Sequence, residues 1–231
     1  KGFKMNIIGY AYNFNLFAKN NVIKPDSESI FKLMPFIQDG FMPTTGEEIN
    51  EDGTKGKVIR VEKETGKRNI SVTFSSKFIS TQITADEVIS KEEASSILNS
   101  VFDRLSSLFK ENIGNRVSCI MNVIIDNDKE TEQAIYSKYF NDDNVFFEWN
   151  LRRAKNSSIR DEKTFNILTI NKGKAAKFNA GNFVQIDAII ITSDNNTSPE
   201  NESIRFSFEN PSIFIDLLEE CLRDTESAME L

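Results

Sequence analysis

Two stretches lying almost half a chain apart share one pattern. In "SSILNSVFDRLS", residues 95–106, the apolar positions are Ile97, Leu98, Val101, Phe102 and Leu105. In "PSIFIDLLEECL", residues 211–222, they are Ile213, Phe214, Leu217, Leu218 and Cys221. Apolar pairs recurring every three to four residues put one wide apolar stripe on each of two helices. Helices of this length gain most of their stability from burying such a stripe, so the rest of the chain must supply apolar surface for both.

The segments before each helix offer that surface, in a similar order. "MNIIGYAYNFNLF", residues 5–17, is rich in aromatic and β-branched residues and predicts a strand. Asp26 or Ser27 caps a short helix that stops near Pro35, and residues 38–57, with several Gly and acids, predict a long loop. "KVIRVE" and "NISVTFSS" flank "KETGKR" as a β-hairpin over 57–76, and "FISTQIT" adds a strand. Ser90 and Glu93 form a capping box at the start of the helix predicted over 91–111.

The second half opens with "RVSCIMNVII", residues 116–125, an apolar run short enough for a buried strand. A short helix over 130–140 follows, with Thr131, Glu132, Ile135 and Phe140 matching Ser27, Glu28, Phe31 and Phe36. Strands are predicted at "VFFEWNLRR", "TFNILTIN" and "FVQIDAIIIT", with a short run at "SIRFSFE". Asn210 as cap and Pro211 at the first position start the last helix. The expected fold class is α+β. It consists of two similar halves, 1–115 and 116–231, each a strand, a short helix, antiparallel strands and a long amphipathic helix packed on its sheet. The strands at 116–125 and 182–192 are expected to be central and covered.

Composition narrows the chemistry. Histidine is absent, which removes Ser-His-Asp and Cys-His machinery and His-rich zinc sites together. The formal net charge of −7 opposes general nucleic-acid binding, because phosphate neutralisation needs a cationic surface. Nineteen Phe against one Trp and four Tyr favour buried packing over ligand stacking. Cys119 and Cys221 lie in apolar patterns and read as buried hydrophobes, without a disulfide framework. No run of about 18 apolar residues suggests a membrane span. The expectation is a soluble cytoplasmic protein with no cofactor and no metal.

Charge is uneven within the second half. Arg152, Arg153, Lys155, Arg160, Lys163, Lys172, Lys174 and Lys177 face only Asp161 and Glu162 in their segment, whereas ten acids from Asp194 onward accompany Arg205 and Arg223. The basic residues, Lys163 aside, are candidate contacts for nucleic acid or a protein partner, with Trp149 and Phe165 as nearby aromatics. Pairing with the acidic C-terminal segment, in the same chain or a second copy, uses the same charges more economically.

Asp187 interrupts an apolar strand, a position that suits a metal-dependent nuclease or a paired carboxylate. The following segment lacks the Glu-x-Lys that a nuclease core needs, and pairing is the favoured reading. Asp126 and Asp128 in "DNDKE" read as a polar turn and helix cap, since the Gly and distal Glu of a calcium loop are missing. "NKGKAAKFNAGN", residues 171–182, lacks the phosphate-loop sequence and reads as a mobile connection between strands.

The order from "ISVTFSSKFISTQIT" through a helix to "RVSCIMNVII", and the ending "FENPSIFIDLLEECLRDTESAMEL", resembles a sporadically distributed family of uncharacterised bacterial proteins of similar length. That resemblance covers most of the chain, implies a bacterial cytoplasmic protein and carries over no site residues. The leading expectation is a non-catalytic binding or assembly protein that self-associates or holds a protein partner. Nucleic-acid binding or RNA processing through residues 152–177 comes second, and a metal-dependent nuclease last.

Overall fold

Strand β1, Ile7–Ala18, shows why the aromatic opening segment forms a sheet: Tyr10, Tyr12, Phe14 and Leu16 are buried on one side, and Ala11, Asn13 and Phe17 on the other are half-exposed. This period of two recurs in β6, Gly114–Asp126, where Val117, Cys119, Met121, Val123 and Ile125 are buried. The two strands pair antiparallel, Tyr12 opposite Met121 and Phe14 opposite Cys119, so both apolar sets share a face. These features come from a computed structural model that describes residues 5–49, 53–142, 144–179 and 182–230.

Around this central pair the sheet grows outward on both sides. Beyond β1 lie β5 (Phe78–Ala85), β4 (Arg68–Phe74), β3 (Lys55–Thr65) and β2 (Met42–Ile49), and beyond β6 lie β9 (Asn182–Thr197), β8 (Glu162–Asn179) and β7 (Asn150–Ile159). All nine strands form one sheet in the order β2-β3-β4-β5-β1-β6-β9-β8-β7, with each neighbouring pair antiparallel. The first strand of each half sits at the centre and the later ones run outward in reverse chain order. One half differs by β2, which pairs with the outer edge of β3.

The helices share the apolar face. Helix α3, Lys91–Leu108, buries Ala94, Leu98, Val101, Phe102 and Leu105, and α5, Ser212–Met229, buries Ile213, Phe214, Leu217, Leu218 and Cys221 among others. At about 1.5–3 kcal/mol for each large side chain fully buried, this stripe outweighs the roughly 1 kcal/mol of a cap such as Ser90, whose side chain accepts from Glu93 N. The short α1 (Ser27–Lys32) and α2 (Met34–Ile37) cover the β4 side, with Phe36 edge-on to Phe74 at 6.3 Å. Helix α4, Lys129–Phe140, lies beside α5, its Tyr139 hydroxyl donating to the Ala228 carbonyl at 3.2 Å. The stripes of α3 and α5 and the apolar strand residues belong to one cluster, so a single core lies between helices and sheet.

Several expectations need correcting. Of the two ways the halves could join, edge to edge or face to face, the structure shows the first, through β1 and β6 within one continuous sheet. Residues 42–49 are strand and not loop, because an outermost strand tolerates Pro43 and Gly46. Of the 171–182 connection, residues 171–179 continue β8 and pair with β9, which starts at Asn182; residues 180 and 181 lie outside the described residues. Strand β7 starts at Asn150, leaving Phe146 and Phe147 outside it and exposed. Of the "SIRFSFE" run only Phe206 bridges to the sheet, opposite Gly114. Helix α1 ends at Lys32, near Pro35 as expected, and Pro35 itself sits in the first turn of α2; Pro211, not Asn210, occupies the cap position of α5. Strands β6 and β9 are covered on one face only.

Candidate functional site

Because all helices gather on one face, the sheet's other face carries no helix among the described residues. Its side chains lie at the alternate strand positions, and their register aligns them into rows across the molecule. One row runs Asn156, Phe165, Asn196, Ser118, Asn15, Ser80, Thr73, Arg60 from β7 to β3. A second runs Ile167, Asp194, Ile120, Asn13, Gln82, Ser71, Glu62. A third runs Arg152, Thr169, Thr192, Asn122, Ala11, Thr84, Asn69.

Neighbouring members bond to each other. Asn15 Nδ2 donates to Ser118 Oγ at 3.0 Å, Ser80 Oγ to Asn13 Oδ1 at 2.6 Å, and Thr192 Oγ1 to Asn122 Oδ1 at 2.6 Å. Arg60 Nε donates to Thr73 Oγ1 at 3.1 Å. These bonds hold the side chains upright; Asn15 and Ser118 are themselves buried, while Asn13, Ser80, Asn122 and Thr192 are partly accessible and keep hydrogen-bonding capacity for a ligand. Asp194, bonded by Asn196 Nδ2 at 3.1 Å, is the carboxylate near the centre. Burial pushes its pKa up, while the Asn196 bond and the charges of Arg116 and Arg152 pull it back. Arg116 lies flat on the Phe17 ring at 3.8 Å, and Phe17 leans against Phe78 at 6.4 Å. The surface is thus polar, broad and dominated by uncharged hydrogen-bonding groups, suited to holding a ligand by many weak bonds.

The basic residues singled out in the sequence are divided by the fold. Arg160 donates to Asp216 of α5 and, at 2.8 Å, to Ser212 Oγ, and the Asp216 bond raises its pKa. Lys172 pairs with Glu132 of α4 at 2.7 Å and Lys174 with Asp187 at 2.8 Å. Lys163, in the same segment, pairs with Glu200 at 2.8 Å. Lys177 belongs to β8, and its side chain lies outside the described part. Arg152, Arg153 and Lys155 all sit on β7 and are exposed, with no ion pair among the described residues. Arg152 points to the uncovered face; Arg153 and Lys155 share the helix side, where Arg153 stands 5.5 Å from the Tyr139 ring centre.

Asp187, expected within an apolar environment, has a side chain 64% exposed, and its bond to Lys174 holds its pKa down. Its place near the tip of the long β8–β9 hairpin removes the burial on which the nuclease reading rested. Asp128 caps α4 by accepting from Thr131 N at 2.9 Å and from the Thr131 hydroxyl at 2.6 Å, while Asp126 accepts from Asn6. Among the described residues no group of three His, Cys, Asp or Glu side chains is placed to hold a metal ion. Both cysteines are fully buried; burial first, then the neighbouring Cys221, drives the Cys119 pKa up and keeps that thiol protonated.

Sequence reasoning passed over the uncovered face, although a signal for it was present. In "YAYNFNLF" the asparagines alternate with the buried aromatics, and "SCIMNVII" and "TSDNNT" place Ser118, Asn122, Thr192, Asp194 and Asn196 at the same parity. Polar residues at strict alternation within otherwise apolar strands mark a sheet with one wet face.

The fold and this face together define an open-faced α+β sheet protein. No family model, curated protein or solved structure matches the chain. No helix among the described residues is long and apolar enough to cross a membrane.

Proposed function

We propose that this is a non-catalytic binding or assembly protein whose recognition surface is the uncovered face of the sheet, and whose partner is a protein or a second copy of the chain. One observation carries the reading: three aligned rows, in which Asn, Gln, Ser and Thr outnumber the other residues, cross a sheet that among the described residues is covered on its other face alone. A solvated face is common in antiparallel sheets, and amide groups on it, which both donate and accept, fit a polypeptide surface.

In this reading residues 1–115 and 116–231 are two uses of one plan. The common order β1-β5-β4-β3 and β6-β9-β8-β7 supports it, as does the placement of α3 and α5, each following the strand that pairs with the central one. The resemblance to bacterial cytoplasmic proteins is part of the same proposal.

A photo-crosslinking amino acid at Gln82, on the uncovered face, and another at Asp103, on the exposed side of α3, test the reading in the native host. Protein adducts at Gln82 and none at Asp103 are expected. Adducts at neither position, or only at Asp103, contradict it.

A second reading rests on Arg60, Arg116 and Arg152 sharing this face with Phe17, Phe78 and Phe165, a mixture of cations and rings that suits single-stranded nucleic acid. It predicts salt-dependent RNA or DNA binding that disappears when Arg60, Arg116 and Arg152 become Glu. Indifference of both proteins to nucleic acid removes it.

A further inference from the structure

The two sides of the sheet end differently. On one side β3 is not the last strand: β2 pairs along its outer edge through eight residues, with Glu47 opposite Lys57 and bonded to Lys55 at 2.8 Å. An acidic strand, carrying Glu47 and Glu48, thus lies on an edge whose near end is basic. On the other side β7 holds the position that corresponds to β3, and no described strand lies beyond it.

The outer edge of β7 therefore presents its alternate main-chain N–H and C=O groups to solvent. Its sequence, "NLRRAKNSSI", contains no acid, and Arg152, Arg153, Ala154, Lys155 and Asn156 are all exposed. The neighbouring cations that have carboxylate partners lie on β8 and in the turn before it, whereas the β7 cations have none among the described residues. The largely exposed Phe147 lies three residues before the strand's start.

We propose that the β7 edge accepts an acidic, extended segment of a partner protein as a tenth strand. The position is the one β2 fills in the other half, and the chemistry repeats that pairing: main-chain bonds supply the geometry, and carboxylates flanking the docked strand meet Arg152 on one face and Arg153 and Lys155 on the other. The main-chain edge is distinct from the uncovered face, although Arg152 belongs to both; N-methylation of the peptide, which removes main-chain bonds alone, separates failure of this proposal from failure of that reading.

The test uses the full chain and a labelled, end-capped peptide with the sequence of β2, residues 42–49, in fluorescence anisotropy at low salt. Trp149, the single Trp, immediately precedes β7 and gives a second readout. Three companions separate the sources of binding: the peptide with both Glu changed to Lys, the peptide N-methylated at alternate residues, and the protein carrying Arg152→Glu, Arg153→Glu and Lys155→Glu. The parent pair binds, and each companion weakens binding by about tenfold or more. Because the three substituted residues are exposed, far-UV circular dichroism of that variant is expected to match the parent.

Absence of binding by the parent peptide overturns the proposal. So does binding that survives N-methylation, since charge alone would then explain it. Displacement of the peptide by an equimolar single-stranded oligonucleotide, or a dimer of the chain that dissociates in the triple variant, assigns the edge to another occupant and equally overturns it.

Discussion

The rings of Phe102 and Phe214 meet nearly edge to face with centroids 4.7 Å apart. Each belongs to one of the two matching helices, and Phe208 packs on Phe102 from the other side at 5.2 Å. The halves are therefore tied through their helices as well as through β1 and β6. Removing either ring leaves a cavity in a shared core, and Phe102→Ala or Phe214→Ala is expected to cost about 3–5 kcal/mol. Urea unfolding followed by circular dichroism and by Trp149 fluorescence checks this. The two probes should move together, and the double variant should lose less than the sum of the singles.

Asp194 predicts an inverted acid dependence. Its pKa in the folded protein is raised above the usual 3.8, so the folded state holds the proton more tightly than the unfolded chain. The carboxyl adds stability below that value and loses it as the pH climbs through it towards the folded pKa. Asp194→Asn, which cannot ionise, is expected to match the parent at low pH and to exceed it progressively above pH 3.8. The difference in urea midpoints between the two proteins, measured across a pH series, checks the sign.

Asp128 should behave in the opposite way. Bonds from Thr131 hold its pKa below the usual 3.8, so its contribution is present above that value and vanishes as the pH falls through the folded pKa. Asp128→Ala is expected to cost about 1 kcal/mol at neutral pH, the ordinary cost of an N-cap, and little in acid. Asp128→Ser should recover most of the loss without the pH dependence.

Gly114 has no room for a side chain. A Cβ there would run into the Leu16 side chain and lie 3.1 Å from the Phe17 carbonyl, and both its N–H and its C=O are bonded to the segment at Phe206. Gly114→Ala is expected to destabilise by about 1–3 kcal/mol, read as a lower thermal midpoint. Gly53→Ala, where nothing lies within 4 Å of the added carbon, tests the contrast through its positive φ of 79° alone.

Much of the framework was legible because period and capping agree locally. Ser90 and the stripe of α3, Asp128 before α4, and the apolar run of β6 all lie where the sequence placed them, to within a few residues. What escaped depends on contacts between distant segments. Met42–Ile49 is a strand only because β3 offers it an edge, and residues 171–179 continue as strand because β9 pairs with them. Which polar residues become neighbours is settled by register: Asn15 meets Ser118, and Asn122 meets Thr192, across separations no local pattern encodes. The basic segment was visible as charge, but its division into Arg160, Lys172 and Lys174, which are paired, and Arg152, Arg153 and Lys155, which have no ion pair among the described residues, follows from where α4, α5 and β9 lie.

The most direct measurement of the central claim, an uncovered polar face opposite a single buried one, is thiol accessibility in the native protein. Single variants Asn13→Cys, Gln82→Cys and Asn122→Cys are each reacted with a maleimide, alongside the parent with its buried Cys119 and Cys221. Rapid modification of the introduced thiols, with the parent unreactive until denaturant is added, is the predicted result. Introduced thiols that stay as protected as Cys119 in a dilute monomer would contradict it.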